Sequence, residues 1–581
     1  MRVPNQRPFA RACSGGDRGR DPNRMGSHIK GKDWPPLPGG WNAVGRPARG
    51  RRAARIPEYD GARCGCRCSH PARSCIRTYG NRACRSGMSD TATDDSFSSR
   101  GARGASLVTA GQLARVLLLL ISTVSLSRLL SPGDFGLMAI CLSVVALGEL
   151  VRDSGLGLAV ARGVPLSQHQ KSNLFWINLG LGASVAMLTF GASWLVAAVF
   201  GSNELAAMLQ WISVSLLLTG FSTQFRGEMN RRLQFLRLTI TDTAPVAVGL
   251  VVGILWAVLE PSVWALVAQQ LTTALVGAVL AVALSRWRPG LPNRASVSEF
   301  LNFGVGLLGA QLLAYGARNA DNYMLGAFTG AAALGYYSRA YQLLMAPINQ
   351  ILAPLTRVAV PVLSRASAPQ TFNRQILAAQ LAAGAPLATA YALAFGTAGP
   401  LVTILLGDQW LPAIPIFQAL CVGGVFRSLN QASYWAFVST SRTGSLFRAH
   451  LVTQPLIIFA MALGLPWGAT GVAWGHSVGY AAAWAITTTW CGRSTLLDSR
   501  RTFLQAAVIA TCFLVPIGAI GWLSTTWVPN PWLAIITSVL ASVTWLLLAY
   551  LLIRPARGAM QTTARVLRLA TTRRSPGPGR D

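Results

Sequence analysis

Charge is scarce in this chain of 581 residues, and negative charge scarcer still: 20 Asp and Glu stand against 51 Lys and Arg, and the four types make up only 12% of the sequence. Soluble domains are about 25% charged, so no large aqueous domain fits after residue 100. A GxxxxGKS or GxxxxGKT phosphate loop is absent, which excludes ATP hydrolysis by the chain itself. Of the ten cysteines, Cys64, Cys66 and Cys68 in CGCRC lie with Cys75 and Cys84 in a spacing that matches no paired CxxC pattern, so no metal site is expected. No short apolar leader precedes the first long apolar segment. On the acidic side of the pattern described below, the longest gap is about 397–411, with Asp408 its single charge. That leaves no platform for a water-facing polymerase or glycosyltransferase site, and the chain reads as a non-enzyme. The formal charge of +31 is placed largely in the first 87 residues and in short gaps, so nucleic acid is not an expected partner.

What the chain has in abundance is apolar length. It is 52% hydrophobic with mean hydropathy +0.41, and a bilayer core roughly 30 Å thick needs about 20 apolar residues per helical span. Fourteen spans are predicted, at about 107–129, 135–161, 173–200, 205–225, 238–259, 262–284, 300–328, 334–361, 376–396, 412–438, 447–465, 469–490, 503–523 and 531–553. Gaps after even-numbered spans carry the cations, as in Arg226 to Arg237 and Arg493 to Arg501, whereas gaps after odd-numbered spans carry none and hold Asp134, Glu204, Glu260 and Asp408. Basic loops stay cytoplasmic, so both termini are expected inside. A miscounted span would invert every later gap, which makes the alternation an internal check on an even count.

Residues 1–105 read as a disordered basic region, rich in Arg, Gly and Pro over 1–87, which has the look of an over-extended start before Met88. Two weak echoes suggest duplication. Phe135-Gly136 aligns with Leu334-Gly335 at an offset of 199 residues, and Ser262-Val263-Trp264-Ala265 with Gly471-Val472-Ala473-Trp474 at 209. The expected architecture is all-α: a six-helix lobe over 106–284, a second over 299–490, an appended pair over 503–553 and a basic cytoplasmic tail over 554–581.

The joint SPGDFGL, the run GELVRDSGLGLAV, the run RNADNYMLGAFTGAAALGYYSRAYQLL and the run PLTRVAVPVLSR together resemble the Wzx-type oligosaccharide flippases, in particular the WzxC-like lipopolysaccharide and exopolysaccharide exporters, over about residues 100–500. That family sits in the superfamily of multidrug, oligosaccharidyl-lipid and polysaccharide exporters. The resemblance implies two lobes around a central cavity that opens alternately to either side of the bacterial cytoplasmic (inner) membrane. The implied cargo is an undecaprenyl-diphosphate-linked oligosaccharide, with membrane lipids, a polysaccharide polymerase and export machinery as further partners. A drug exporter of the same superfamily is the competing reading, and it calls for acidic rather than basic cavity residues.

The charges inside the spans suit an anionic cargo, since charge in a bilayer usually faces a cavity or a partner. Candidate cargo contacts are Arg115 in span one, Arg152 in span two, Arg318 in span seven, Arg339 in span eight and Arg427 in span ten. Guanidinium offers phosphate a planar fork and does not deprotonate. No cofactor is expected. Proton or sodium coupling would need a carboxylate among Glu149, Asp153 and Asp321. Glu149 with Arg152, and Arg318 with Asp321, are three residues apart, so local neutralisation is the alternative for both pairs. Arg115 and Arg427 have no acid within four positions and must find partners on other helices or in a wet cavity.

Overall fold

The computed structural model describes residues 90–153, 167–293, 312, 315–316, 318–366 and 368–571. Helices dominate them, and no β-strand occurs among the described residues. In chain order the helices are α1 (Asp90–Leu129), α2 (Pro132–Asp153), α3 (Gln168–Phe200), α4 (Asn203–Arg231), α5 (Phe235–Leu259) and α6 (Trp264–Leu284). A helical stretch over 318–328 is followed by α7 (Ala331–Ser364), α8 (Pro369–Gly396), α9 (Ala398–Leu405), α10 (Ala413–Ser439), α11 (Thr443–Gly464) and α12 (Gly468–Ser494). The chain continues through α13 (Ser499–Ile509), α14 (Val515–Trp527), α15 (Pro531–Leu552) and α16 (Arg554–Thr571).

Among the described residues, twelve stretches are long and apolar enough to cross a membrane. One of them, Thr443–Ser494, is a pair of helices joined by the 3-10 turn Leu465–Trp467. The expected seventh span lies largely outside the described residues, as does the end of the second beyond Asp153. Several helices overrun the predicted spans at the basic end: α3 begins at Gln168 and α4 runs to Arg231. Hydropathy registers only the apolar part of a helix, while backbone hydrogen bonding continues past it.

The predicted span 503–523 lies within one continuous helical run, Ser499–Trp527, that carries an irregular turn in its middle. A π turn, Ala510–Leu514, separates α13 from α14, and Pro516 lacks the N–H that would bond the Cys512 carbonyl. The Trp545 indole of α15 donates to that carbonyl instead, at 3.0 Å. The gap 397–411 is likewise more than a loop. It folds as α9 and the 3-10 turn Asp408–Trp410.

Helices α3 and α4 pack together, α5 packs on α6 and α1, and α6 also touches α4; farther along the chain, α10 is enclosed by α7, α8 and α12, with α11 on α12 and α14 on α8. The first group meets the second where α2 packs on α7. At that seam the two joints that echo each other in the sequence touch. A Cβ at Gly136 would lie 1.7 Å from the Ala331 carbonyl oxygen, and one at Gly335 would lie 1.8 Å from that of Pro132. Both pairs keep the same offset, since 335 − 136 and 331 − 132 are each 199. Only glycine permits this reciprocal approach of two helix starts.

The α9 cap seals the same end. Carbonyls in the last turn of a helix have no intrahelical donor, and that of Ser127 in α1 accepts from Trp410 Nε1 at 2.7 Å and from Gln409 Nε2 at 2.5 Å. Arg128 Nη2 returns a bond to the Ile404 carbonyl at 2.5 Å. At the basic end, the segment after α6 is docked on the start of α3: Asn293 N donates to Asn173 Oδ1 at 2.9 Å, and Trp287 Nε1 to Gln168 Oε1 at 3.0 Å.

Candidate functional site

Arg427 lies midway along α10, which packs against α7, α8 and α12, and its side chain stays partly exposed. Its Nη1 donates to the Tyr341 hydroxyl of α7 at 2.9 Å, and the guanidinium stands over the Tyr480 ring of α12, 5.3 Å from the centroid. Among the described residues it forms no ion pair. Gly423 and Gly424, one turn earlier on α10, bring the flanking helices close enough for this: a Cβ at Gly423 would meet Ser477 Oγ at 2.6 Å, and one at Gly424 would meet Leu344 Cδ1 at 2.6 Å. The arginine's direct contacts among the described residues are the Tyr341 hydroxyl and the Tyr480 ring. Tyr341 and Tyr480 are partly exposed, with His476 fully buried behind them. A partly exposed guanidinium held by a neutral hydroxyl and a ring, with no ion pair among the described residues, is suited to receive an anion.

The other predicted residues fall in three places. Arg115 is exposed on α1 and has no ion pair or hydrogen bond among the described residues. It shares a helical face with Ser122 and Leu126, at spacings of 7 and 11 residues; Ser122 accepts from Gln269 of α6 at 3.0 Å and Leu126 is buried. That stripe meets the bundle at Ser122 and Leu126, while Arg115 itself is exposed. Arg339 is in the α2–α7 seam. Its guanidinium lies 3.7 Å from the Phe135 ring centroid and donates to Gln342 Oε1 at 2.6 Å. Phe135 in turn packs on Trp410, ring centroids 5.4 Å apart, which places Arg339 in the sealed end.

Arg152 is buried and donates to the Thr219 hydroxyl of α4, so it sits inside the first helix group. Glu149 is partly buried and also partnered, and the Asp153 side chain lies outside the described residues. Asp321 and Arg318 do not neutralise each other: Arg318 is exposed, whereas Asp321 is buried and accepts from Tyr337 Oη at 3.0 Å. Asp242 pairs with Arg226, and Glu228 takes both Lys171 at 2.9 Å and Arg232 at 2.7 Å, so three cations at the basic end of the first helix group have carboxylate partners. The four described cysteines, Cys141, Cys421, Cys491 and Cys512, are free and buried.

Sequence reasoning missed Tyr341, Tyr480 and Tyr337. Tyr337 and Tyr341 are four apart in α7, as are His476 and Tyr480 in α12. That spacing places each pair on one helical face and was the available signal.

Membrane-crossing helices recur among the described residues from Ala110 to Leu552, which makes this a multi-pass membrane protein. The fold matches the lipid II flippase MurJ in an inward closed conformation, with a TM-score of 0.60 at 13% identity over 76% of this chain and 98% of that one. It also matches an inward-facing multidrug resistance MATE family transporter, with a TM-score of 0.54 at 16% identity over 65% and 94%. By sequence the chain belongs to the polysaccharide biosynthesis protein family, whose model matches residues 125–415. The lipopolysaccharide biosynthesis protein WzxC of Escherichia coli is 25% identical over 64% of this chain and 75% of its own length. The teichuronic acid biosynthesis protein TuaB of Bacillus subtilis is 23% identical over 52% and 63%, and the succinoglycan biosynthesis transport protein ExoT of Rhizobium meliloti 25% over 51% and 60%. The alignments thus span less than two thirds of the latter two relatives.

Proposed function

We propose that this protein is a flippase that moves an undecaprenyl-diphosphate-linked oligosaccharide from the inner to the outer leaflet of the bacterial cytoplasmic membrane by alternating access. The observation that carries the reading is Arg427: an intramembrane guanidinium that forms no ion pair among the described residues, held by Tyr341 and Tyr480 and partly exposed. A diphosphate crossing a low-dielectric bundle needs a fixed cation that cannot lose its proton. Arg115, exposed on α1 on the stripe of Ser122 and Leu126, supplies a second cation from the other helix group in this reading. The competing cargo, a cationic drug, is disfavoured by the same two residues. The α2–α7 seam with its α9 cap supplies the closed side of an alternating pathway, and Arg339 belongs to that closure, not to cargo contact. Both termini are cytoplasmic in this reading, and the sealed end faces the periplasm. A polysaccharide polymerase and export machinery take up the delivered cargo.

The test is transport of a fluorescent polyprenyl-diphosphate sugar in proteoliposomes. Arg427→Ala and Arg115→Ala are expected to abolish flipping at unchanged membrane abundance. Full transport by both variants overturns the proposal.

A further inference from the structure

We infer that Asp321 is a positioning residue for Arg427 and not a carrier of a coupling ion; this rests on the reading of Arg427 as the phosphate donor. Asp321 is 4% exposed, and both its oxygens are engaged. Oδ1 accepts from the Asn322 backbone at 2.9 Å and Oδ2 from the Tyr337 hydroxyl at 3.0 Å. Tyr337 is itself fully buried, so the carboxylate holds the one polar atom of that ring in place. Tyr341 lies one turn farther along α7, its ring nearly parallel to that of Tyr337, with centroids 6.0 Å apart and planes at 16°. On its other side His476 meets it edge-on, at 5.9 Å and 89°, and His476 also lies 4.5 Å from the Tyr480 ring. Tyr341 is therefore boxed between Tyr337 and His476, and its hydroxyl is the atom that holds Arg427 Nη1.

The order of dependence runs Asp321, Tyr337, Tyr341, Arg427. Buried charge must find donors or opposite charge, and Asp321 has two donors plus a guanidinium at the far end of the tyrosine pair. A hard cation needs a shell of several oxygen ligands. Among the described residues Asp321 accepts from an O–H and an N–H, and no group of three His, Cys, Asp or Glu that could hold a metal ion occurs among them. Ion coupling is then left to Glu149 and Asp153, at the inner end of α2.

Binding of undecaprenyl diphosphate without sugar to the purified full chain in phosphatidylcholine nanodiscs tests this. Tyr337→Phe keeps the ring and its stacking, so loss in that variant is not loss of fold. Tyr337→Phe and Asp321→Asn are each expected to weaken binding roughly threefold to tenfold. Neither is expected to add to the loss caused by Arg427→Ala, because both act through that residue. In proteoliposomes with an imposed proton or sodium gradient, Asp321→Asn is expected to keep the wild-type ratio of driven to undriven flipping. Wild-type binding by Asp321→Asn overturns the inference, as does loss of gradient response in Asp321→Asn alone. Normal binding by Arg427→Ala shows instead that the phosphate reading has failed, and the positioning role falls with it.

Discussion

Single side chains divide here into those that complete the fold and those the fold holds for use. Glu228 is of the first kind. It is 3% exposed and binds two cations, so Glu228→Gln strands Lys171 and should cost on the order of 3 kcal/mol. A fall in Tm of the detergent-solubilised protein checks this, and an unchanged Tm would show that the pair is idle. Arg427 is of the second kind. Arg427→Lys keeps the charge but loses the planar fork, so it should restore only a minor part of the transport lost in Arg427→Ala; full recovery would mean that charge alone suffices. This residue was legible in the sequence because no acid lies near it on its own helix. Its partners were not, because Tyr341 and Tyr480 come from helices far along the chain. Asp321 shows the limit of local spacing: Arg318, three residues away, is the obvious partner, yet the fold gives it Tyr337, sixteen residues on.

Helices and their ends carry the gating chemistry. The closed seam depends on two helix starts that touch through backbone at Gly136 and Gly335, with Arg339 stacked on Phe135 and Trp410 filling behind. Gly136→Val or Gly335→Val cannot fit without parting α2 from α7. A cysteine placed at Arg339 should accordingly go from poorly to readily labelled by an impermeant thiol reagent added outside. Equal labelling with and without the valine would mean that this seam does not close the pathway. The sequence disclosed this pair as a repeat at 199 residues, but repetition does not say that the two copies touch. Spans were legible because apolar length is a property of one helix. The π turn at Ala510–Leu514 and the α9 cap were not, since each depends on partners elsewhere: Trp545 for the first, and the exposed carbonyls of α1 for the second.

Across the whole molecule, the alternation of basic and acidic gaps predicts a topology that can be checked without any transport assay. A cysteine replacing Asp408 should react with an impermeant thiol reagent added to intact spheroplasts, and one replacing Arg232 should react only after permeabilisation. The reverse pattern would invert the protein and place the sealed seam on the cytoplasmic side. The central claim, however, concerns cargo. Purified protein reconstituted into liposomes should translocate a fluorescent polyprenyl-diphosphate sugar, and the Arg427→Ala variant, present at the same level, should not. Translocation by both proteins alike, or export of a cationic dye with no movement of the diphosphate lipid, would contradict the account.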